Sequence, residues 1–193
     1  MADMFFFVPS GFGTSFGRFT GVGAAMGSRG GLIRRPAPRN EAFMRLALHQ
    51  PDQAGNVGTI LRLAACLAVP VDLIEPCGFP YSDRALKRAG MDYSEMAAVT
   101  RHPGWEAFEA ALPGRLALFT TAADALLLPE ARFERGDTLL FGSESRGAPE
   151  AVHERADFRV RIPQVEGTRS LNLAVAAGIG LAEALRQTGQ WPG

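Results

Sequence analysis

Two cysteines in 193 residues, Cys66 and Cys77 with ten residues between them, are too few for a disulfide scaffold and lack the CxxC spacing of a metal clip. A reducing compartment, the cytoplasm, is the expectation. Histidine is nearly as scarce: His49, His102 and His153 have no spacing that makes a catalytic triad or a metal site legible. No apolar run reaches the ~20 residues of a membrane-spanning helix, and Met4 to Val8 is too short for a signal-peptide core and has no basic flank. Net charge is missing as well, 20 basic residues balancing 20 acidic ones. The balance is uneven along the chain. Residues 1–43 hold five Arg against two acidic residues, eight of the 22 Gly and seven of the 13 Phe, which leaves 15 basic and 18 acidic residues to 44–193. That longer stretch offers no broad field to nucleic acid, so an RNA partner needs a local basic patch.

From Ser10 to Gly31 the chain scatters Gly, Phe, Ser and Thr without helical or alternating period, and then gives Arg34-Arg35-Pro36-Ala37-Pro38-Arg39. Such composition predicts a disordered Gly/Phe/Arg-rich leader over residues 1–43. Gly11-Phe12-Gly13 and Gly21-Val22-Gly23 lack the third glycine and the preceding strand of a dinucleotide fingerprint. Met44 is an alternative start, because the strand-like Arg45-Leu46-Ala47-Leu48-His49 follows at once. The Gly and Pro content argues against a mitochondrial-type leader.

With 47% hydrophobic residues the remainder can bury a full core. Its patterning alternates: strand 45–49, helix from about Asn56 to Ala68, strand 71–74, a short helix from about Ser82 to Ala89, and a strand near Ala97 to Thr100. A helix from Trp105 to Leu112, strands 116–120 and 138–141, a helix near Pro149 to Arg155, strand 158–162 and a last helix over Leu171 to Leu185 follow. This alternation predicts one α/β domain over 44–193, a mainly parallel sheet with helices on both faces. Ser170 is the expected N-cap of the last helix.

Open sheets of this kind keep ligands beyond the strand C-termini, and the polar segments fall there. Gln50-Pro51-Asp52-Gln53-Ala54-Gly55-Asn56-Val57-Gly58 leads from the first strand into a helix whose second turn carries Arg62. Helix N-terminal N–H groups favour an anion such as phosphate. Arg62 is either a solvated charge or, given the apolar neighbours Ile60, Leu61, Leu63 and Ala64, a residue with a partner. Gly142 to Gly147 exposes backbone groups beside Glu144 and Arg146; it misses a nucleophile elbow because position 143 is Ser rather than Gly. Its strand and that of the loop after Ile162-Pro163 are expected to be neighbours whose loops face one crevice. Arg84, Lys87 and Arg88 form a local basic cluster, either a nucleic-acid contact or ordinary solvated charge.

Asn56-Val57-Gly58-Thr59-Ile60-Leu61-Arg62, Leu140 to Gly147, and Ile162-Pro163 with Arg169-Ser170-Leu171-Asn172-Leu173 resemble the three ordered motifs of SPOUT-class RNA 2'-O-methyltransferases. Ile74 to Phe79, Arg88 to Tyr93 and Ala184 to Gln187 resemble the small TrmL-type subfamily that acts on the tRNA wobble nucleotide, cytidine or modified uridine; Ala182 stands where an aromatic is common there. The resemblance runs from Met44 almost to the end. It implies a C-terminal trefoil knot, a homodimer without metal, S-adenosylmethionine as methyl donor, and a tRNA anticodon stem-loop as partner. By motif position the donor contacts Phe119, Thr120, Gly142, Ile162, Ser170, Leu171 and Asn172. Arg62 matches the family's catalytic arginine, with Asn56 and Glu144 orienting it, and Arg62, Arg84, Lys87, Arg88 and Arg146 are the implied RNA contacts. Methylation of another RNA, such as ribosomal RNA, and a non-catalytic RNA-binding protein on the same fold are the competing functions.

Overall fold

Four-residue runs such as Val71-Asp72-Leu73-Ile74, Leu116-Ala117-Leu118-Phe119 and Thr138-Leu139-Leu140-Phe141 are buried at every position. Only a strand covered on both faces needs such continuous burial. The computed structural model describes residues 43–80 and 98–193. Within them β1 (Arg45–His49), β2 (Val71–Ile74), β3 (Val99–His102), β4 (Leu116–Phe119), β5 (Leu126–Leu127), β6 (Thr138–Phe141) and β7 (Phe158–Arg161) form a sheet in the order β3-β2-β1-β6-β4-β7-β5. Every pairing is parallel. The expected helix from Ser82 to Ala89, with Arg84, Lys87 and Arg88, and the leader before residue 43 lie outside the described residues.

Alternation along β1 sends Leu46 and Leu48 to one face and Ala47 to the other. The first face is covered by α1 (Ala54–Leu67) and α4 (Leu173–Thr188), which pack side by side. On α4 the inward positions Leu173, Ala177, Gly180, Leu181, Ala184 and Leu185 repeat at helical spacing. The second face is covered by α2 (Trp105–Ala111) and α3 (Glu150–Arg155), which close over Ile74, Leu116, Leu118 and Leu140 with Phe108 and Val152. That face also holds a polar cluster: Arg45 Nε donates to Asp72 Oδ2 at 2.8 Å, and His102 Nε2 lies 2.9 Å from Asp72 Oδ1.

Several boundaries depart from the sequence-based expectation. The third strand lies at Val99–His102 rather than 97–100, because pairing Val71 with Val99 and Ile74 with His102 puts the imidazole within reach of Asp72. The last helix starts at Leu173, two residues late, and its cap is Asn172 rather than Ser170. Asn172 Oδ1 accepts from the N–H groups of Ala174 at 2.9 Å and Val175 at 3.4 Å. β5 and a 3-10 turn over Leu128–Glu130 were not legible, being shorter than any period. The strands carrying the two polar loops, β6 and β7, are not neighbours: β4 lies between them.

Candidate functional site

β4, β6 and β7 all end at the same edge, so Phe119-Thr120, Gly142 to Ala148 and Ile162 to Leu173 surround one cavity of about 740 Å³, whose wall Gln53 and Asn56 of the α1 entry complete. A volume of this size fits a single small ligand. The loop after β6 is held tight. Ser143 N donates to Gly147 O at 3.0 Å and Gly147 N returns to Ser143 O at 2.9 Å, with Gly147 at φ +70°. Gly142 allows this closure: a Cβ there would stand 2.3 Å from the carbonyl carbon of Gly147. Phe119 stacks on Phe141 at 4.6 Å between ring centres and gives the cavity an aromatic wall.

One chain of hydrogen bonds ties the three polar segments. Asn172 Nδ2 donates to Asn56 Oδ1 at 2.8 Å, Asn56 Nδ2 donates to Glu144 Oε1 at 2.7 Å, and the Asp52 N–H donates to Glu144 Oε2 at 2.7 Å. Asp52 Oδ2 in turn accepts from the Ser145 N–H at 2.9 Å and its hydroxyl at 2.6 Å. The Ser145 hydrogen bonds, reinforced by the Arg146 charge, hold the Asp52 carboxyl below its ordinary value. Both Glu144 oxygens are thereby committed to N–H donors, and Asn56 is 8% exposed. Ser145 is bonded to Asp52, and no histidine lines the cavity among the described residues, so a serine-hydrolase arrangement is not assembled here.

Of the residues expected to meet a donor, Phe119, Thr120, Gly142, Ile162, Ser170, Leu171 and Asn172 all line the cavity, as do Asn56, Glu144 and Arg146. Arg62 does not. Its sequence neighbours Ile60, Leu61 and Ala64 turn inward, whereas Arg62 lies on the exposed line Gly55, Thr59, Arg62, Cys66, so the expected apolar surround is absent. It stands six residues beyond Asn56, ~9 Å along the helix axis. Gly58, the last residue of the segment expected to offer helix N–H groups to an anion, is buried within α1. Sequence reading missed Asp52, whose Asp-Gln spacing before a helix looks like an ordinary loop, and the cap at Asn172. It also missed Arg161, which lines the cavity with its Nε buried and without an acceptor.

The cavity suits a donor of the size and mixed polarity of S-adenosylmethionine. Phe119, Phe141, Ile162 and Leu173 offer apolar surface, and Thr120, Ser143, Ser170 and the Gly142–Gly147 backbone offer hydrogen bonds. Among the described residues no helix is long and apolar enough to cross a membrane, and no group of three His, Cys, Asp or Glu is placed to hold a metal ion.

Residues 44–182 match the model of the SpoU rRNA Methylase family. A tRNA (cytidine(34)-2'-O)-methyltransferase of Beijerinckia indica subsp. indica is 52% identical over 147 residues, 75% of this chain and 91% of that protein. A solved structure described as giving insight into the 2-OH methylation of C/U34 on tRNA is 45% identical with a TM-score of 0.68, covering 76% of this chain and 96% of that one. The AdoMet-bound rRNA methyltransferase of Sinorhizobium meliloti is 29% identical with a TM-score of 0.68, covering 76% of this chain and 57% of that one.

Proposed function

Because the chain belongs to the SpoU rRNA methylase family, we propose that it is a tRNA (cytidine(34)-2'-O)-methyltransferase that uses S-adenosylmethionine to methylate the wobble ribose. The observation that carries this is the hydrogen-bonded chain from Asn172 through Asn56 and Glu144 to Asp52, at the wall of a cavity of about 740 Å³. Ribosomal RNA is the less favoured substrate. The chain spans 96% of the structure concerned with C/U34 of tRNA but 57% of the rRNA methyltransferase. Such an enzyme works where tRNA is matured and used, in the cytoplasm, and the anticodon stem-loop is the part of the substrate it grips.

When bound, the donor supplies a methyl group on a sulfonium, whose departure as a neutral thioether needs no acid. What remains for the chain is to hold a ribose 2'-hydroxyl in line and to stabilise the charge that develops as its proton leaves. Phe119, Thr120, Gly142, Ile162, Ser170, Leu171 and Asn172 hold the donor. Asn56 and Glu144 fix the wall against which the ribose sits. Arg62 positions the hydroxyl and an adjacent phosphate; a guanidinium does not give up its proton, so it acts by charge and geometry rather than as a base. Arg146, with Arg84, Lys87 and Arg88, contributes phosphate contacts.

Arg62 lies on the exposed face of α1 and does not line this cavity, so the reading includes the homodimer that the family resemblance implies, with a second copy's cavity receiving it. The outer surface of α1 and α4 supports this: α4, which packs against α1, exposes Val175 and Ile179, four residues apart. The parallel order β1-β6-β4-β7 and the tight Gly142–Gly147 turn accord with the trefoil knot of the family. Residues 44–193 form the methyltransferase domain and 1–43 a dispensable leader. Incubating the protein with labelled donor and total tRNA, then identifying the methylated nucleoside by mass spectrometry, tests the activity. Methyl on the ribose at position 34 is expected; methyl on a base, or none on tRNA, would sink it.

A further inference from the structure

Arg161 closes β7 immediately before Ile162 and lines the cavity. Among the described residues its side chain makes no hydrogen bond and no ion pair, and its Nε is shut off from solvent without an acceptor. Other arginines of the sheet are answered: Arg159, two residues earlier, pairs with Asp124 at 2.7 Å, and Arg45, on β1, with Asp72 at 2.8 Å. The two acids of the cavity wall leave it unanswered. Glu144 has both oxygens on Asp52 and Asn56, and Glu166 sits exposed in the loop after β7. A guanidinium keeps its charge at every working pH and offers a planar fork of N–H donors shaped for two oxygens of one anion. Leaving such a group half-buried and unpaired is costly unless a ligand completes it.

We propose that Arg161 is the binding residue for a carboxylate carried by the ligand in this cavity, the carboxylate at the amino-acid end of S-adenosylmethionine. This rests on the methyl-donor reading above. The position of Arg161 in the cavity lining decides between carboxylate and phosphate. Arg161 shares the cavity lining with Thr120 and Ile162, so an anion that meets its guanidinium there is a terminal group of a small ligand. A phosphodiester flanked by two sugars stays at the mouth. Arg161 therefore discriminates between donors by their charge, a task separate from the methyl transfer itself.

The test is calorimetric binding of S-adenosylmethionine and of its decarboxylated analogue to the full chain and to Arg161→Gln and Arg161→Lys. The wild type is expected to bind the carboxylate form about ten- to a hundredfold more tightly, the range of a charge-assisted pair. Arg161→Gln is expected to bind the two alike, at the level the wild type shows for the decarboxylated compound, and Arg161→Lys to recover part of the preference. Equal wild-type affinities overturn the proposal, as does an Arg161→Gln that weakens both compounds by one factor. An Arg161→Gln that keeps the preference and loses tRNA binding also overturns it, assigning the group to an RNA phosphate. If Arg161→Gln does not fold, Arg161→Lys with the same two compounds decides. A wild type that binds neither compound refutes the donor reading itself and this inference with it.

Discussion

Glu144 has its orientation imposed from both ends. Asn172 cannot turn its amide over, because its oxygen caps the N–H groups of Ala174 and Val175. Its Nδ2 therefore points at Asn56, whose own Nδ2 points at Glu144, and the Asp52 N–H closes the far side. Every donor converges on one carboxylate. A glutamine there has one acceptor and one NH2, so Glu144→Gln sets two donors face to face. Methyl transfer is expected to fall about ten- to a hundredfold and stability by about 1–3 kcal/mol, measured by turnover and denaturant melts. Asn172→Ala removes a cap and a link together and is expected to cost at least the ~1 kcal/mol of a lost cap. His49 provides a pH dependence elsewhere. Burial against Trp105 holds its imidazole below the ordinary value of about 6.5. The unfolded chain takes up the proton first, so stability is full above that value and falls as pH drops below it, until the buried ring itself protonates. His49→Phe is expected to flatten this part of the melting temperature against pH.

At the scale of elements, the close approach of α4 to β4 shapes the cavity. A Cβ on Gly180 would come within 2.6 Å of the Phe119 ring. Gly180→Ala is therefore expected to push that ring toward the cavity and weaken donor binding with little change in secondary structure, as calorimetry and circular dichroism would report; unchanged donor affinity would refute it. Gly142→Ala meets backbone instead of a ring that can turn, and is expected to unfold the loop after β6. The strands of this sheet were legible because burial on both faces leaves short, mostly apolar runs between polar loops, and 45–49, 71–74 and 138–141 are read without error. The helix surfaces were less so. Ile60, Leu61 and Ala64 flank Arg62 in sequence but not in space, since three or four residues, rather than one, separate neighbours on a helix face. Ser170 looks like a cap by residue type, yet Asn172 takes the role because it alone serves the helix and Asn56 at once. Asp52, Asn56, Glu144 and Asn172 were separately visible as polar residues in loops. Their mutual bonding depends on the order of strands, which no local pattern records.

For the molecule as a whole, the exposed surface of α1 and α4 is the feature that a single copy does not explain. Val175 is 49% exposed and Ile179 39%. If the proposed homodimer forms through this surface, the double substitution Val175→Glu with Ile179→Glu yields a folded monomer by sedimentation that has lost methyl transfer. If Arg62 serves the cavity of a second copy, Arg62→Ala and Glu144→Gln homodimers, each impaired, regain activity when mixed under exchange; failure to do so assigns Arg62 to its own protomer. Deleting residues 1–43 is expected to leave donor affinity unchanged.

The hydrogen-bonded wall of the cavity joins residues 52 and 172, which bracket most of the enzyme's own length. During synthesis, then, the wall is completed late: a nascent polypeptide cut short before residue 172 has every strand of the sheet and the residues that bond Glu144 to Asp52 and Asn56, and lacks the one that ties them to the final helix. The last tie in the cavity wall is therefore among the last parts of the chain to be made.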